Sequence, residues 1–313
     1  MNMLTANSSR SKATFKKIKR NWGLYLLLLP SLVLLICFTY KPMYGVIIAF
    51  KDYQPVEGIL GSHWADPWYK YFTKYFHSYQ FVTTIKNTLI INIYSLIVTF
   101  PFPVILALAI NQMRAERFKK VFQTITYMPH FISTVVMVGL ITLILSPGSG
   151  VLGNICRLIG VQAPNLMGQA NAFSHIYVWS EVWQHTGWDS IIYIAALSAI
   201  DPSLYEAATI DGANIWHKIR YIDIPMLVPT IVILLILRVG GLMGLGFEKV
   251  YLMQNNLNLL SSEVISTYVY KIGLLSAQYS YSAAINLFST IINFILLVTV
   301  NRISKKFSDS SLW

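Results

Sequence analysis

The 313 residues predict an all-α integral membrane protein with six transmembrane helices and both termini in the cytoplasm. Three observations carry this. Apolar residues make up 55% of the chain and charged residues only 12%, about half the charge of an ordinary soluble domain. Six runs are long and apolar enough for spans of about 20 residues, at 22–50, 85–111, 121–146, 172–200, 225–247 and 281–301. Of the 24 Lys and Arg residues, fifteen fall in 1–20, 114–120, 201–224 and after 301. All four stretches lie on one side if the N-terminus is inside, as the positive-inside rule requires.

Residues 1–21 form a basic cytoplasmic segment whose run SRSKATFKKIKR (9–20) suits anionic lipid better than nucleic acid. The net charge of +11 therefore reflects topology. A cleaved signal peptide is disfavoured, because the apolar run continues past Pro30 and no Ala-x-Ala site follows it. Span one (22–50) is expected to break near its outer end at Lys41-Pro42. The outer segment 51–84 contains SHWADPWYKYFTKYFHSYQF (62–81), with nine aromatics in twenty residues. One reading is an interfacial helix with its rings at headgroup level; contact with a partner protein or with sugar rings is the other.

Residues 85–301 form a five-helix core, followed by a cytoplasmic tail at 302–313. Its outer loops are 147–171 and 248–280. Gly148, Gly150 and Gly153 make a formal G-x-G-x-x-G, but a dinucleotide fingerprint needs a strand before it and a helix after it. Here the glycines follow a span and serve a turn. Cys37 and Cys156 cannot make a disulfide framework. No phosphate-cradling G-x-x-x-x-G-K-[ST] appears, nor any His-Glu-x-x-His or paired-Cys metal pattern. If ATP drives this protein, another chain binds it.

The inner loop 201–224 is too structured for a simple connection. Asp201 is placed to cap a helix that Pro202 opens. Leu204, Ala207 and Ala208 give that helix a low-bulk surface, and Gly212 lets the chain turn without steric cost. A second short amphipathic piece, NIWHKIRY, follows, and Pro225 marks the start of span five. A bland interfacial connector remains open on these grounds alone.

Polar groups within spans are costly and face protein or water. Span four carries Glu181, Gln184, His185, Trp188 and Asp189; Asn87 and Asn92 lie in span two, and Asn286 in span six. Amide and indole groups suit sugars, whose hydroxyls need paired donors and acceptors and whose C–H faces stack on aromatic rings. Gln184, His185, Trp188 and Asn92 are the candidate substrate path; hydrogen bonding between helices is the equal alternative. Asp189 and Arg238 both sit roughly 16–20 Å from the cytoplasmic ends of their spans, so a structural ion pair between spans four and five is expected. A proton relay through Asp189 and His185 is a weaker reading.

The run Glu206-Ala207-Ala208, three residues, Gly212, nine residues, then Ile222-x-Ile224-Pro225 resembles the EAA loop of ATP-binding-cassette (ABC) importer permeases. Ile224 stands where that family usually has Leu. YKPMYGVIIAFKDY (40–53), NTL (87–89), FKKVFQTITYMPHFIS (118–133) and WQHTGWDSIIYIAALSAIDPSLYEAA (183–208) are similar to the polysaccharide- and oligosaccharide-type carbohydrate-uptake permeases. The resemblance implies the type I ABC importer permease fold. It also implies a second homologous permease as heterodimer partner, two ATPase subunits that bind ATP and magnesium, and an extracellular sugar-binding lipoprotein. This chain would bind no cofactor or metal of its own, and would carry oligosaccharides across a bacterial plasma membrane. Glu206, Ala207, Ala208, Asp211, Gly212, Ala213, Ile222 and Pro225 are then the ATPase-coupling residues, with rigid-body tilting as the transmission. An ion-gradient-driven secondary transporter would need intramembrane ion ligands and usually internal repeats; no convincing repeat is present. A membrane-embedded enzyme would need a convergent acid–base or metal cluster, and an ABC permease for a non-sugar cargo would keep the EAA loop.

Overall fold

The computed structural model describes residues 20–113 and 115–307. The basic run 9–20 lies outside them except for Arg20, as do Arg114 and the tail from 308. The fold is helical, and the described residues pair as strands only in an isolated bridge between Lys51 and Trp64. Four helices are long and apolar enough to cross a membrane, or six if each of two bent helix pairs is one span.

Helix α1 (Trp22–Phe50) exposes every side chain from Trp22 to Tyr44, as expected of a helix bathed in lipid. It does not break at Lys41-Pro42. Pro42 has no N–H for the Phe38 carbonyl, and the helix absorbs this with a wide π turn over Ile36–Tyr40, where the Lys41 amide reaches the Ile36 carbonyl. Buried Ala49 then seats the C-terminal end of α1 against the last helix.

The aromatic segment divides in two. Its one full helix, α2, covers only Lys70–Phe76, so the expectation of a continuous interfacial helix over 62–81 is not met. Tyr75 points inward, packs edge-on against Phe81 at 5.1 Å, and pairs its hydroxyl with Thr84 Oγ1 at 2.8 Å. Trp64, Trp68 and Tyr79 face outward. The preceding loop is gathered by Lys51, only 6% exposed. Its Nζ donates to the carbonyls of Ile59 (2.6 Å), Ser62 (3.0 Å) and Leu60 (3.4 Å). Asp52 accepts from Tyr71 at 2.5 Å and Lys70 at 3.0 Å, and these bonds hold its carboxyl below the usual carboxylate range.

Helix α3 (Tyr79–Asn111) starts six residues earlier than the sequence suggests. The stretch expected as one span at 121–146 is two helices, α4 (Glu116–Phe131) and α5 (Thr134–Ile144), bent by 96°. Pro129 lies in the 3₁₀ turn that ends α4, and Ser133 caps α5. The turn before α6 (Val151–Leu158) needs its glycines: a Cβ on Gly150 would lie 2.3 Å from the Leu143 carbonyl oxygen, and one on Gly153 2.1 Å from that of Pro147.

Helix α7 (Ala170–Ser198) is the central post, packed against α3, α4 and α9. After a 72° bend comes α8 (Pro202–Ile210). Asp201 caps α8 by accepting from the Ser203 amide at 2.9 Å, and this bond lowers its carboxyl pKa. Gly212 adopts φ of +76°. The second piece of the loop is not a separate helix. Asn214 caps α9 (Ile215–Gly240), which runs unbroken from the loop through the fifth span, again by a π turn (Ile219–Asp223) just before a proline.

Span five also ends early. After Gly240 the chain turns back into the protein, where the Met243 amide donates to Asn293 Oδ1 at 2.8 Å. Helix α10 (Phe247–Met253) and α11 (Ile265–Tyr270) precede α12 (Tyr279–Phe307). Ile91, Val138, Phe173, Tyr177, Val250 and Val264 form the central core from α3, α5, α7, α10 and the start of α11.

The tightest contact in this scaffold is between α4 and α7, where a Cβ on Gly187 would lie 2.0 Å from the Thr126 carbonyl oxygen. Gly187→Ala is expected to cost about 1–3 kcal/mol, the usual penalty of overpacking. A lowered unfolding midpoint in detergent would register it. Gly139→Ala, mid-helix and meeting nothing within 4 Å, should hold or slightly raise the midpoint.

Candidate functional site

Three cavities line up between α3, α4, α7, α9 and α10. The largest, about 590 Å³, is lined by Asn92, His130, Glu181, Gln184, His185, Arg238 and Lys249, among others. A second of about 220 Å³ shares Asn92, Ser95, Arg238 and Gly244 with it. A third of about 280 Å³, towards the 201–224 end, is bounded by Thr99, Pro103, Asp189, Tyr193, Leu234 and Arg238. Arg238 is the residue common to all three.

The guanidinium of Arg238 reaches Asp189 Oδ2 at 3.3 Å, between α9 and α7, and its side chain stays 53% exposed to these cavities. Gln184 is buried and gives its amide to the Ile132 carbonyl at 2.9 Å, which ties α7 to the break between α4 and α5. His185 Nδ1 meets His130 Nδ1 at 3.0 Å, and its Nε2 lies 3.6 Å from Glu181 Oε2. Trp188 does not line the large cavity. Its ring stacks on His130 with centroids 4.4 Å apart and planes within 2°. Asn92 spends its amide on the Thr88 carbonyl, one turn back in its own helix. Asn87 and Asn286 lie elsewhere: Asn87 donates to Leu260 and Glu263 carbonyls, and Asn286 borders a cavity beside Tyr279.

Two members of this wall escape the sequence pattern. Lys249, 6% exposed, donates to Glu181 Oε1 at 2.6 Å, and His130 supplies the ring under Trp188. The signals were there. Gly240, Gly241, Gly244 and Gly246 crowd into seven residues, which marks a broken span rather than a helix continuing to 247, and Pro129 marks the bend that brings His130 inward.

At the far end, the loop residues are laid out for contact with something else. Glu206, Ala207, Asp211 and Gly212 are exposed, as are Ile210 (86%), Trp216 (77%) and Ile215. Ala208, Ala213 and Ile222 are half-buried and Pro225 is exposed. Lys218 Nζ donates to Thr209 Oγ1 at 2.8 Å, so the two arms of the loop brace each other. The capped helix α8 and the start of α9 thus leave Ile210, Ile215 and Trp216 uncovered by the rest of the chain. Residues 95–309 match the family described as binding-protein-dependent transport system inner membrane component.

The chain belongs to that family.

It is 39% identical over 304 residues to the polygalacturonan/rhamnogalacturonan transport system permease protein YteP of Bacillus subtilis (strain 168), covering 97% of this chain and 94% of that one. Protein LplB of the same organism is 38% identical, with 95% and 92% covered. A solved bacterial ABC transporter involved in the import of the acidic polysaccharide alginate matches with a TM-score of 0.85 and 38% identity, over 95% of this chain and 99% of that one. The permease is thus the multi-pass membrane subunit of an ABC sugar importer, and ATP hydrolysis lies in separate subunits. An ion-gradient-driven carrier is not favoured.

The Lys249–Glu181 pair supplies a direct check on how the permease keeps charge inside its wall. Removing one partner of a buried pair costs about 3–5 kcal/mol, somewhat less here because Glu181 is 23% exposed. Glu181→Gln should therefore lower the unfolding midpoint sharply, whereas Glu181→Leu combined with Lys249→Met should recover most of the loss.

Proposed function

We propose that this permease imports acidic, uronate-bearing oligosaccharides. It would work as one half of a heterodimer with a second homologous permease above two ATPase subunits, which bind the ATP and magnesium. An extracellular lipoprotein would hand over the sugar. Both termini and the 201–224 loop would face the cytoplasm, in keeping with the excess of Lys and Arg on that side. The chain itself would hold no cofactor, metal or nucleic acid.

The observation that carries the cargo is Arg238. A guanidinium presents five donors in a fixed fork that suits carboxylates. Here it is shared by three adjoining cavities while Asp189 holds it from one side. A sugar carboxylate could exchange with Asp189 for that fork as it passes. Asn92, Gln184 and His185 line the largest cavity and offer partners for hydroxyls. The relatives that handle polygalacturonan, rhamnogalacturonan and alginate support the same reading, since polygalacturonan and alginate are built from uronates.

In coupling, Ala207, Ala208 and Ala213 permit close approach to a cleft in the ATPase, and Glu206 and Asp211 meet polar or basic groups there. Gly212 supplies the turn, while Ile222 and Pro225 join this element to span five.

Uptake by the assembled importer in liposomes tests the cargo. Arg238→Gln paired with Asp189→Asn keeps the wall neutral. It is expected to lower import of a uronate oligomer roughly 10- to 100-fold, the equivalent of one charge-assisted hydrogen bond at about 1.5–3 kcal/mol. Equal import of acidic and neutral oligomers by both proteins would overturn it.

A further inference from the structure

Among the described residues, Asp223 is the only charged side chain with no exposure at all. It ends the π turn of α9, where the Ile224 amide reaches back to the Ile219 carbonyl. A buried carboxylate must be met by donors, and Asp223 takes them from two other elements. Its Oδ1 accepts from the Tyr205 hydroxyl at 2.5 Å and from Asn111 Nδ2 at 3.4 Å. Its Oδ2 accepts from Gln112 Nε2 at 2.8 Å. Tyr205 immediately precedes Glu206 on α8, and Asn111 and Gln112 close α3. One carboxylate therefore fastens the exposed helix of the loop to the near ends of two spans.

The two fastened spans lead to one place. From Asp223, α9 runs about 22 Å to Arg238, and from Asn111, α3 runs back about 28 Å to Asn92. Arg238 and Asn92 both line the largest cavity and the smaller one beside it. A displacement of α8 is delivered through Asp223 to the pair of helices whose far residues border those cavities. Charge-assisted hydrogen bonds are about twice as strong as neutral ones and directional, so this joint transmits a push without slipping.

We propose that Asp223 is the positioning residue that converts movement of the docked loop into tilting of α3 and α9. This rests on the reading that residues 206–213 dock on the ATPase, and goes beyond it by naming the joint on the permease side. Asp223 touches neither sugar nor nucleotide.

A charge-swap cycle in the complete importer, reconstituted with its binding protein, tests the joint. Asp223→Asn loses the charge, and Gln112→Glu sets two carboxylates against each other. Each is expected to retain the ATPase on purification yet to cut sugar imported per ATP hydrolysed at least tenfold. The two together restore a carboxylate facing an amide, now reversed, and should return the ratio to within about twofold of the parent. A normal ratio in both single variants, loss of the ATPase from either, or a double variant no better than the singles would overturn the proposal. Gly212→Val separates the docking reading, because a β-branched residue is strained at φ of +76°. It should release the ATPase while the permease still inserts. If Gly212→Val keeps the ATPase and full coupling, the docking reading falls and the joint with it; if it releases the ATPase but the swap fails to rescue, only the joint falls.

Discussion

In hydrocarbon every backbone amide must find a partner within its own segment or in packed protein, and α9 runs as one helix from the exposed loop to the cavities. Pro225 threatens it near the start, since it offers no N–H to the Tyr221 carbonyl. The π turn over Ile219–Asp223 absorbs the defect. Continuity matters because α9 carries Asp223 at one end and Arg238 near the other. A break at Pro225 would leave the cavity wall mechanically separate from the loop. The same solution appears before Pro42 in α1, whereas Pro30 in α1 and Pro229 in α9 sit within ordinary α-helix.

Charge inside the wall is handled by pairing across elements. Arg238 meets Asp189 and Lys249 meets Glu181, each joining a residue of α7 to one of α9 or α10. Isolated charges at such depth would be costly. The pairs differ in what they leave over. Lys249 is sealed, whereas the Arg238 side chain is half exposed, which makes the first a brace.

The apolar runs, the cap at Asp201 and the turn at Gly212 were legible because each depends on a few neighbouring residues. The resemblance of residues 206–225 to the EAA loop pointed to the family, and Glu206, Ala207, Asp211 and Gly212 emerge exposed. Of the four residues singled out in the spans, Asn92, Gln184 and His185 line the largest cavity, whereas Trp188 stands behind it on His130. What stayed hidden depends on contacts between distant segments. Lys249 looked like an outer-loop residue until the chain was seen to fold back after Gly240. Nothing near Asp223 in sequence reveals that Gln112 and Tyr205 enclose it. Tyr75 was one of nine rings in a segment whose overall amphiphilicity concealed that it alone is fully buried.

Lys51 gathers three carbonyl oxygens from one short loop, as a calcium ion does in many loops of secreted proteins. The difference is covalent attachment. A bound ion equilibrates with its surroundings, and a loop organised by it loosens when the ion is chelated or scarce. A lysine at the end of its own helix cannot be diluted away. The cap over this end of the permease is therefore held by a cation that belongs to the chain itself.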